Sequence, residues 1–137
     1  METFLLEQNI TVMCLTAKSF PEGVHDVHED LKMLVPDANQ RLFFGISHPN
    51  SKGEITYKAA TEIKTPNEAQ TLNLEQFTIS KGGFYCITLT DYYKDIPNVE
   101  TTFKKLLSHP NLDLNGYCLE WYLNGGRDMR CMVKLKD

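Results

Sequence analysis

The stretch Gly116-Tyr117-Cys118-Leu119-Glu120-Trp121-Tyr122-Leu123-Asn124 sets one carboxylate among aromatic and aliphatic residues. Such residues, bounded by Gly and Asn, are typical of a β-strand, along which side chains alternate between two faces. One predicted face carries Tyr117, Leu119, Trp121 and Leu123, and the other carries Cys118, Glu120 and Tyr122. Neither face is polar, so we expect both to be covered. Because an unpaired buried carboxylate is costly, Glu120 needs a partner, a proton or a ligand.

This strand belongs to the second of two similar segments, each of which reads strand-helix-strand-strand. The predicted helices open at Pro21 and Pro97, since proline suits the first helical turn, and apolar residues follow each proline at helical spacing. The predicted strands span 10–15, 42–47 and 55–63, then a linking strand 74–80, then 84–89, 117–123 and 129–135. A polar loop is predicted over 64–73 and a turn over 81–83.

Two copies of a β-α-β-β unit predict an α+β fold with an antiparallel sheet, two helices, a pseudo-two-fold axis and a central cleft. The 137 residues and a hydrophobic share of 42% fit a single domain over 1–137. The net charge of −4 and the lack of a basic cluster argue against direct nucleic-acid binding and suit neutral or cationic ligands. Since we find neither a signal peptide nor a membrane span, we expect a cytoplasmic protein without membrane contact. A homodimer is left open.

No metal site and no cofactor are expected. The four cysteines lie in separate predicted strands without a CxxC pair, which is typical of small buried hydrophobic residues rather than zinc ligands. His25 and His28 lie three residues apart on the first predicted helix, a spacing that could suit a metal. No further ligand is nearby, and acidic residues flank both, so a solvated helix face is the preferred interpretation.

Three motifs, in their order and spacing, resemble a known family. They are Ile55-Thr56-Tyr57-Lys58-Ala59-Ala60, the stretch Phe77-Thr78-Ile79-Ser80-Lys81-Gly82-Gly83-Phe84-Tyr85, and Glu120-Trp121-Tyr122. Together with the duplicated unit, they resemble the GyrI-like small-molecule-binding domain, which is the effector-binding domain of some bacterial transcription activators. That domain belongs with the wider SOUL haem-binding-like fold, but an axial haem ligand is not expected, because a fold does not carry a function.

The resemblance implies a role for the acid in the opening stretch. In that family a strand Glu lies at the base of a central, aromatic-lined pocket and is the counter-ion for cationic, often hydrophobic drugs. Carried over, the anchor is Glu120 with Tyr122 beside it. The other expected ligand-binding residues are Tyr57, Phe44, Tyr85 and Trp121, where Phe44 is placed opposite Glu120 by the pseudo-symmetry and Trp121 points to the other strand face.

Several functions remain open at this point. The first is a free-standing pocket for cationic or amphipathic aromatic compounds, used in sequestration or sensing. The second, suggested by free-standing relatives in the family, is a hydrolase of cyclopropane-bearing genotoxins, in which Glu120 activates water and Tyr122 orients it or donates a proton. The third is an interaction protein with a vestigial pocket. Glu120 could also be a structural acid that is bonded to a Tyr hydroxyl or to an Arg such as Arg127 or Arg130.

Overall fold

The computed structural model describes residues 2–49 and 52–136, and these residues form eight strands and three α-helices. In chain order the elements are β1 (Glu2–Leu6), β2 (Ile10–Thr16), α1 (Val24–Leu34), β3 (Phe43–Pro49), β4 (Ile55–Glu62), α2 (Glu68–Thr71), β5 (Glu75–Ile79), β6 (Gly82–Leu89), α3 (Pro97–Leu106), β7 (Cys118–Leu123) and β8 (Asp128–Lys134). The predicted fold class, an α+β fold with antiparallel strands and a duplicated β-α-β-β unit, is confirmed.

The chain divides into two compact units, of which unit 2 comprises residues 9–79 and unit 1 comprises the chain before and after it. In unit 2 the antiparallel strand order is β5-β2-β4-β3. The expectation that this helix opens at Pro21 is wrong: α1 begins at Val24, after a turn in which the N–H groups of Gly23 and Val24 donate to the carbonyls of Ser19 and Pro21. Helix α1 packs against β2 and β4 and buries Val27, His28 and Leu31. Consecutive residues are buried in β2 and β4, so apolar side chains are buried on both faces of these strands.

Unit 1 has the antiparallel strand order β1-β6-β8-β7. Helix α3 begins at Pro97, as the sequence predicts, and packs against β6 and β8. Its buried Leu106 lies in one apolar cluster with Met129, Cys131 and Val133 of β8. This helix and the sheet face beneath it position the residues that are discussed as a site below.

The two units are built to the same plan, but the edge strand of each unit is the leading strand of the other repeat. Strand β1 leads into β2 of unit 2 yet pairs with β6, whereas β5 leads into β6 of unit 1 yet pairs with β2. In both edge strands only the last residue, Leu6 or Ile79, is buried. The repeat is thus strand-strand-helix-strand-strand, and the leading strand of each repeat completes the sheet of the other unit.

Three differences from the sequence-based expectation concern local structure. Strand β1 is absent from the predicted elements, because it is short and its partner β6 lies far along the chain. The polar loop predicted over 64–73 contains the one-turn helix α2. The glycines of the predicted turn 81–83 instead begin β6, where Gly82 and Gly83 pair with Leu6 and Leu5. In each case a partner distant in sequence decides the local structure.

The expectation that His28 lies on a solvated helix face is wrong, because its side chain is buried. His28 lies four residues after Val24 and three before Leu31, so it belongs to the apolar stripe of α1. His25, on the same helix, is exposed as expected. Among residues 2–49 and 52–136, no helix is long and apolar enough to cross a membrane.

Candidate functional site

The candidate site lies on the face of unit 1 that is covered by α3. On this face Cys118 and Tyr122 pack with the buried residues of β8 and with Leu106 of α3. Glu120 lies between them on β7 and pairs with Cys131 in the ladder. Since side chains alternate along a strand, Glu120 shares this face with its two neighbours, as predicted.

The carboxylate of Glu120 is hydrogen-bonded to the next residue on its own face. The hydroxyl of Tyr122 donates to Glu120 Oε1 at 2.7 Å, and both residues are half-buried. A hydrogen bond to a charged acceptor is stronger than a neutral one, so it fixes the direction of the carboxylate. The pair combines one negative charge with an aromatic ring and a hydroxyl.

Tyr92 adds a second ring to this pair, although the sequence does not single it out as a site residue. It lies in a short 3₁₀ turn after β6, Tyr92–Lys94, and its ring centroid is 5.8 Å from that of Tyr122. Burial, and then the negative charge of Glu120, raise the pKa of Tyr92 above its ordinary value. The carboxylate and the two phenols therefore lie close together on one face.

The thiol beside Glu120 is held in its neutral form. Burial raises the pKa of Cys131 first, and the charges of Glu120 and Cys118 raise it further. A buried thiol beside a carboxylate is a poor nucleophile, since the reactive species is the thiolate. Cys14, Cys86 and Cys131 are buried, as expected from the sequence, whereas Cys118 is half-buried.

One further carboxylate, that of Asp128, holds the loop that carries Tyr92. The backbone N–H of Asp91 donates to Asp128 Oδ1 at 3.0 Å, and Asn124 Nδ2 donates to Asp128 Oδ2 at 2.6 Å. These two hydrogen bonds, in that order, lower the pKa of Asp128 below its usual value. Asp128 is the first residue of β8 and is itself buried.

The two arginines considered as partners for Glu120 both have other contacts. Arg127 Nε lies 3.5 Å from Asp91 Oδ1 and 4.0 Å from Asp128 Oδ1. The guanidinium of Arg130 lies over the rings of Phe4 and Trp121, with its central carbon 4.6 Å and 5.4 Å from their centroids. Arg130 pairs with Trp121 in the ladder, so both project to the sheet face opposite Glu120.

The other residues expected from the sequence are distributed over both units. Trp121 lies on the sheet face opposite Glu120, where its ring packs edge-on against Phe4 at 5.9 Å. Tyr85 of β6 lies on the α3 side, and its ring centroid is 4.2 Å from that of His109. Phe44 and Tyr57 belong to unit 2, where both are buried.

The expectation that Phe44 occupies the position equivalent to Glu120 is wrong. The two ladders are aligned by equivalent pairs. Cys14 of β2 pairs with Ala60 of β4 in unit 2, and Cys86 of β6 pairs with Met132 of β8 in unit 1. Ala60 pairs with Phe44, whereas Met132 pairs with Leu119. By the same alignment Glu120 corresponds to Gly45, because the segment between Pro21 and Gly45 is one residue longer than that between Pro97 and Glu120.

Tyr57 takes part in a separate polar contact beneath α1. Its hydroxyl oxygen lies 2.7 Å from His28 Nε2 in a hydrogen bond, and the ring of Phe20 stacks on it at 5.6 Å. Burial lowers the pKa of His28 to about 4, with smaller contributions from Lys32 and His25. His28 is therefore neutral at pH 7.

The described residues contain no group of three or more His, Cys, Asp or Glu side chains that could hold a metal. An open groove at the edge of β1 is lined by Leu5, Leu6, Glu7, Lys81 and Gly82. None of the expected site residues lines this groove.

No protein-family model and no curated protein matches this chain. Solved structures do match in fold. An integron cassette protein from the mobile metagenome of Vibrio cholerae is 9% identical with a TM-score of 0.70, over 98% of this chain and 95% of that one. SAV2435, in a structure bound to tetraphenylphosphonium, is 12% identical with a TM-score of 0.61, over 99% and 94%. A hydrolase from Listeria innocua is 7% identical with a TM-score of 0.56, over 98% and 90%. At these identities the likeness shows a shared fold.

Proposed function

We propose that this chain is a GyrI-like small-molecule-binding protein, and that unit 1 binds cationic or amphipathic aromatic compounds with Glu120 as the anchor. The observation that carries the proposal is the hydrogen bond from Tyr122 to Glu120 with the ring of Tyr92 alongside. A directed carboxylate close to two aromatic rings is complementary to an organic cation. The biological role would be sequestration or sensing of such compounds.

The chemistry favours cations that are large and weakly hydrated. A partly desolvated carboxylate attracts a cation more strongly than one in bulk water, and the faces of Tyr92 and Tyr122 add cation–π attraction. A small, strongly hydrated ion would gain little from the rings. The fold likeness to SAV2435, whose structure contains tetraphenylphosphonium, supports this choice of ligand class.

The proposal assigns the expected residues different roles. Glu120 is the counter-ion, and Tyr122 orients it and offers a ring. Tyr85 lies on the same α3 side of the sheet, on β6, which is separated from β7 by β8. Trp121 projects to the opposite face of the sheet, and Phe44 and Tyr57 belong to unit 2. The proposal therefore gives these three residues no ligand contact.

The anchor is tested by calorimetric titration with tetraphenylphosphonium. Glu120→Gln keeps the shape of the side chain and removes its charge, and we expect the affinity to fall about 10- to 100-fold, or about 1.5–3 kcal/mol. The matched control is Glu100→Gln, which removes the same charge from the exposed side of α3, where the Glu100 side chain is 76% exposed. We expect this control to bind as the wild type does.

Three results would contradict the proposal. Equal affinity of Glu120→Gln and the wild type for tetraphenylphosphonium would remove Glu120 as the anchor. If the wild type bound neutral triphenylphosphine oxide as tightly as tetraphenylphosphonium, the charge of the ligand would not be recognised. A wild type without affinity for any lipophilic cation would overturn the ligand class itself.

The same hydrogen bond favours a second candidate function, hydrolysis of strained, electrophilic compounds such as cyclopropane-bearing genotoxins. Tyr122 places a proton donor beside the carboxylate of Glu120, which could take a proton from the attacking water. Mass spectrometry of such a substrate after incubation with the protein would show a product with one added water. Product formed by the wild type and abolished in Glu120→Gln, with the fold intact, would favour the hydrolase over the binding protein.

A further inference from the structure

The carboxylate of Asp128 joins two loops that are distant in sequence. Through Oδ1 it accepts a hydrogen bond from the backbone of Asp91, in the connection between β6 and α3. Through Oδ2 it accepts a hydrogen bond from Asn124, in the turn between β7 and β8. Both carboxylate oxygens are therefore used within unit 1, and the side chain is buried.

Each of these loops is continuous with one part of the candidate site. Asp91 is followed directly by Tyr92, and its backbone has a left-handed φ of 52° that turns the chain there. Asn124 follows β7, the strand that carries Glu120 and Tyr122. One side chain thus ties the loop that carries Tyr92 to the turn that follows the strand with the carboxylate.

The ladder registers show that this link belongs to the unit that carries Glu120. Asp128 pairs with Leu123, and the equivalent pair in unit 2 is Thr56 with His48. Threonine lacks the two acceptor oxygens that a bidentate link requires. The repeat that has Gly45 in place of Glu120 therefore also has Thr56 in place of Asp128.

We propose that Asp128 is a positioning residue for the organic-cation site, which holds Tyr92 against Tyr122 beside Glu120. The inference rests on the proposed function. Asp128 would not contact the ligand; it sets the distance between the two rings before the ligand arrives. A preorganised ring loses less freedom on binding than a mobile one, so the link raises affinity.

The proposal is tested by a double-mutant cycle with Asp128→Ala and Tyr92→Ala, read out as the Kd for tetraphenylphosphonium. We expect Asp128→Ala to weaken binding about tenfold in the wild type and hardly at all in the Tyr92→Ala background, because it acts through Tyr92. Asn124→Ala, which removes one of the two bonds to Asp128, should weaken binding about threefold and serves as the milder variant. Additive effects of Asp128→Ala and Tyr92→Ala would overturn the positioning role.

A measurement without ligand separates this proposal from the proposed function. Nuclear Overhauser cross-peaks between the ring protons of Tyr92 and Tyr122 should be present in the wild type and in Glu100→Gln, and absent in Asp128→Ala. Cross-peaks that persist in Asp128→Ala would overturn the positioning role, whatever the affinity. If they vanish in Asp128→Ala while the wild type does not bind tetraphenylphosphonium, the proposed function is overturned and the position that Asp128 imposes on Tyr92 is still supported.

Discussion

His28 shows how one buried residue can couple the stability of the protein to pH. Its ring is hydrogen-bonded to Tyr57 beneath α1, and burial lowers its pKa to about 4. In the unfolded chain the ring takes up a proton near its ordinary pKa of 6.5. Between these two values the unfolded state binds more protons than the folded state, so the free energy of unfolding falls as the pH falls.

We expect the wild type to lose about 2 kcal/mol of unfolding free energy between pH 7 and pH 5 through this residue. His28→Gln has no ring to protonate, so most of that loss should disappear. Urea unfolding at the two pH values measures the difference. His25→Gln, an exposed substitution on the same helix, is the control, and its unfolding free energy should fall between pH 7 and pH 5 nearly as much as that of the wild type. An equal fall in His28→Gln would contradict the assignment to His28.

The same ladder position holds an acid in one unit and a glycine in the other. Glu120 and Gly45 occupy equivalent places on the helix-covered face of their sheets. The charge of the candidate site therefore arises from one residue in one repeat rather than from the fold. This is why fold likeness alone says little about the ligand.

Among the elements, α2 depends on a contact made far from it in sequence. The guanidinium of Arg41 forms two hydrogen bonds to the Glu68 carboxylate of α2, and it also donates to the carbonyl of Pro36 at 2.8 Å and that of Glu62 at 3.0 Å. The two side chains are only 3% and 10% exposed. A one-turn helix has little stability of its own, so this brace accounts for its presence.

Removing Arg41 should therefore cost more than removing an exposed arginine or lysine. We expect Arg41→Ala to lower the free energy of unfolding by about 2–4 kcal/mol, because the hydrogen bonds of the guanidinium to Glu68 and to two carbonyl groups are lost. Lys104→Ala, which breaks the exposed pair with Glu100, should cost less than about 1 kcal/mol. The midpoints of urea unfolding compare the two variants. Equal midpoints would contradict the proposal that the contact between Arg41 and Glu68 stabilises α2.

At the scale of the whole molecule, the exchanged edge strands should contribute equally to stability. Leu6 of β1 and Ile79 of β5 are the buried ends of equivalent strands. We expect Leu6→Ala and Ile79→Ala each to lower the melting temperature, at a cost of about 2–4 kcal/mol, because each opens a cavity.

The control for the edge strands is Leu5→Ala, since Leu5 is 65% exposed and its truncation should change stability by less than about 0.5 kcal/mol. Calorimetry of the three variants measures the effects. A Leu6→Ala variant as stable as Leu5→Ala would show that β1 is dispensable for unit 1.

The fold is predictable where the signal is local. Apolar periodicity locates α1 and α3, and Pro97 marks the start of α3, whereas α1 begins three residues after Pro21. Alternation locates most of β2 to β8. Strand β1 and helix α2 depend on distant partners, Cys86 among them for β1 and Arg41 for α2, and no short window contains that information. The repeat is recognisable, but a one-residue difference in length shifts its alignment from Gly45 to Phe44.

Strand alternation predicts the part of the candidate site that lies on β7. Glu120 and Tyr122 share a face of β7, and Trp121 takes the other. Tyr92 lies in a non-periodic turn, so its proximity to Tyr122 comes from the closure of unit 1 rather than from a pattern. The signal that could have pointed to it is the pair of tyrosines directly after Asp91, a residue type that tolerates a left-handed turn.

The exchange of edge strands has a consequence for the order in which the chain can fold during its synthesis. Strand β1 leaves the ribosome before its partner β6, which follows about 80 residues later, a wait of roughly 4–16 s at about 5–20 residues per second. Unit 2 is continuous, and every strand it needs has emerged once β5 is complete. The nascent β1 must therefore wait for its ladder partner while unit 2 assembles, so the backbone groups of Phe4 and Leu6 have no strand to pair with until β6 emerges.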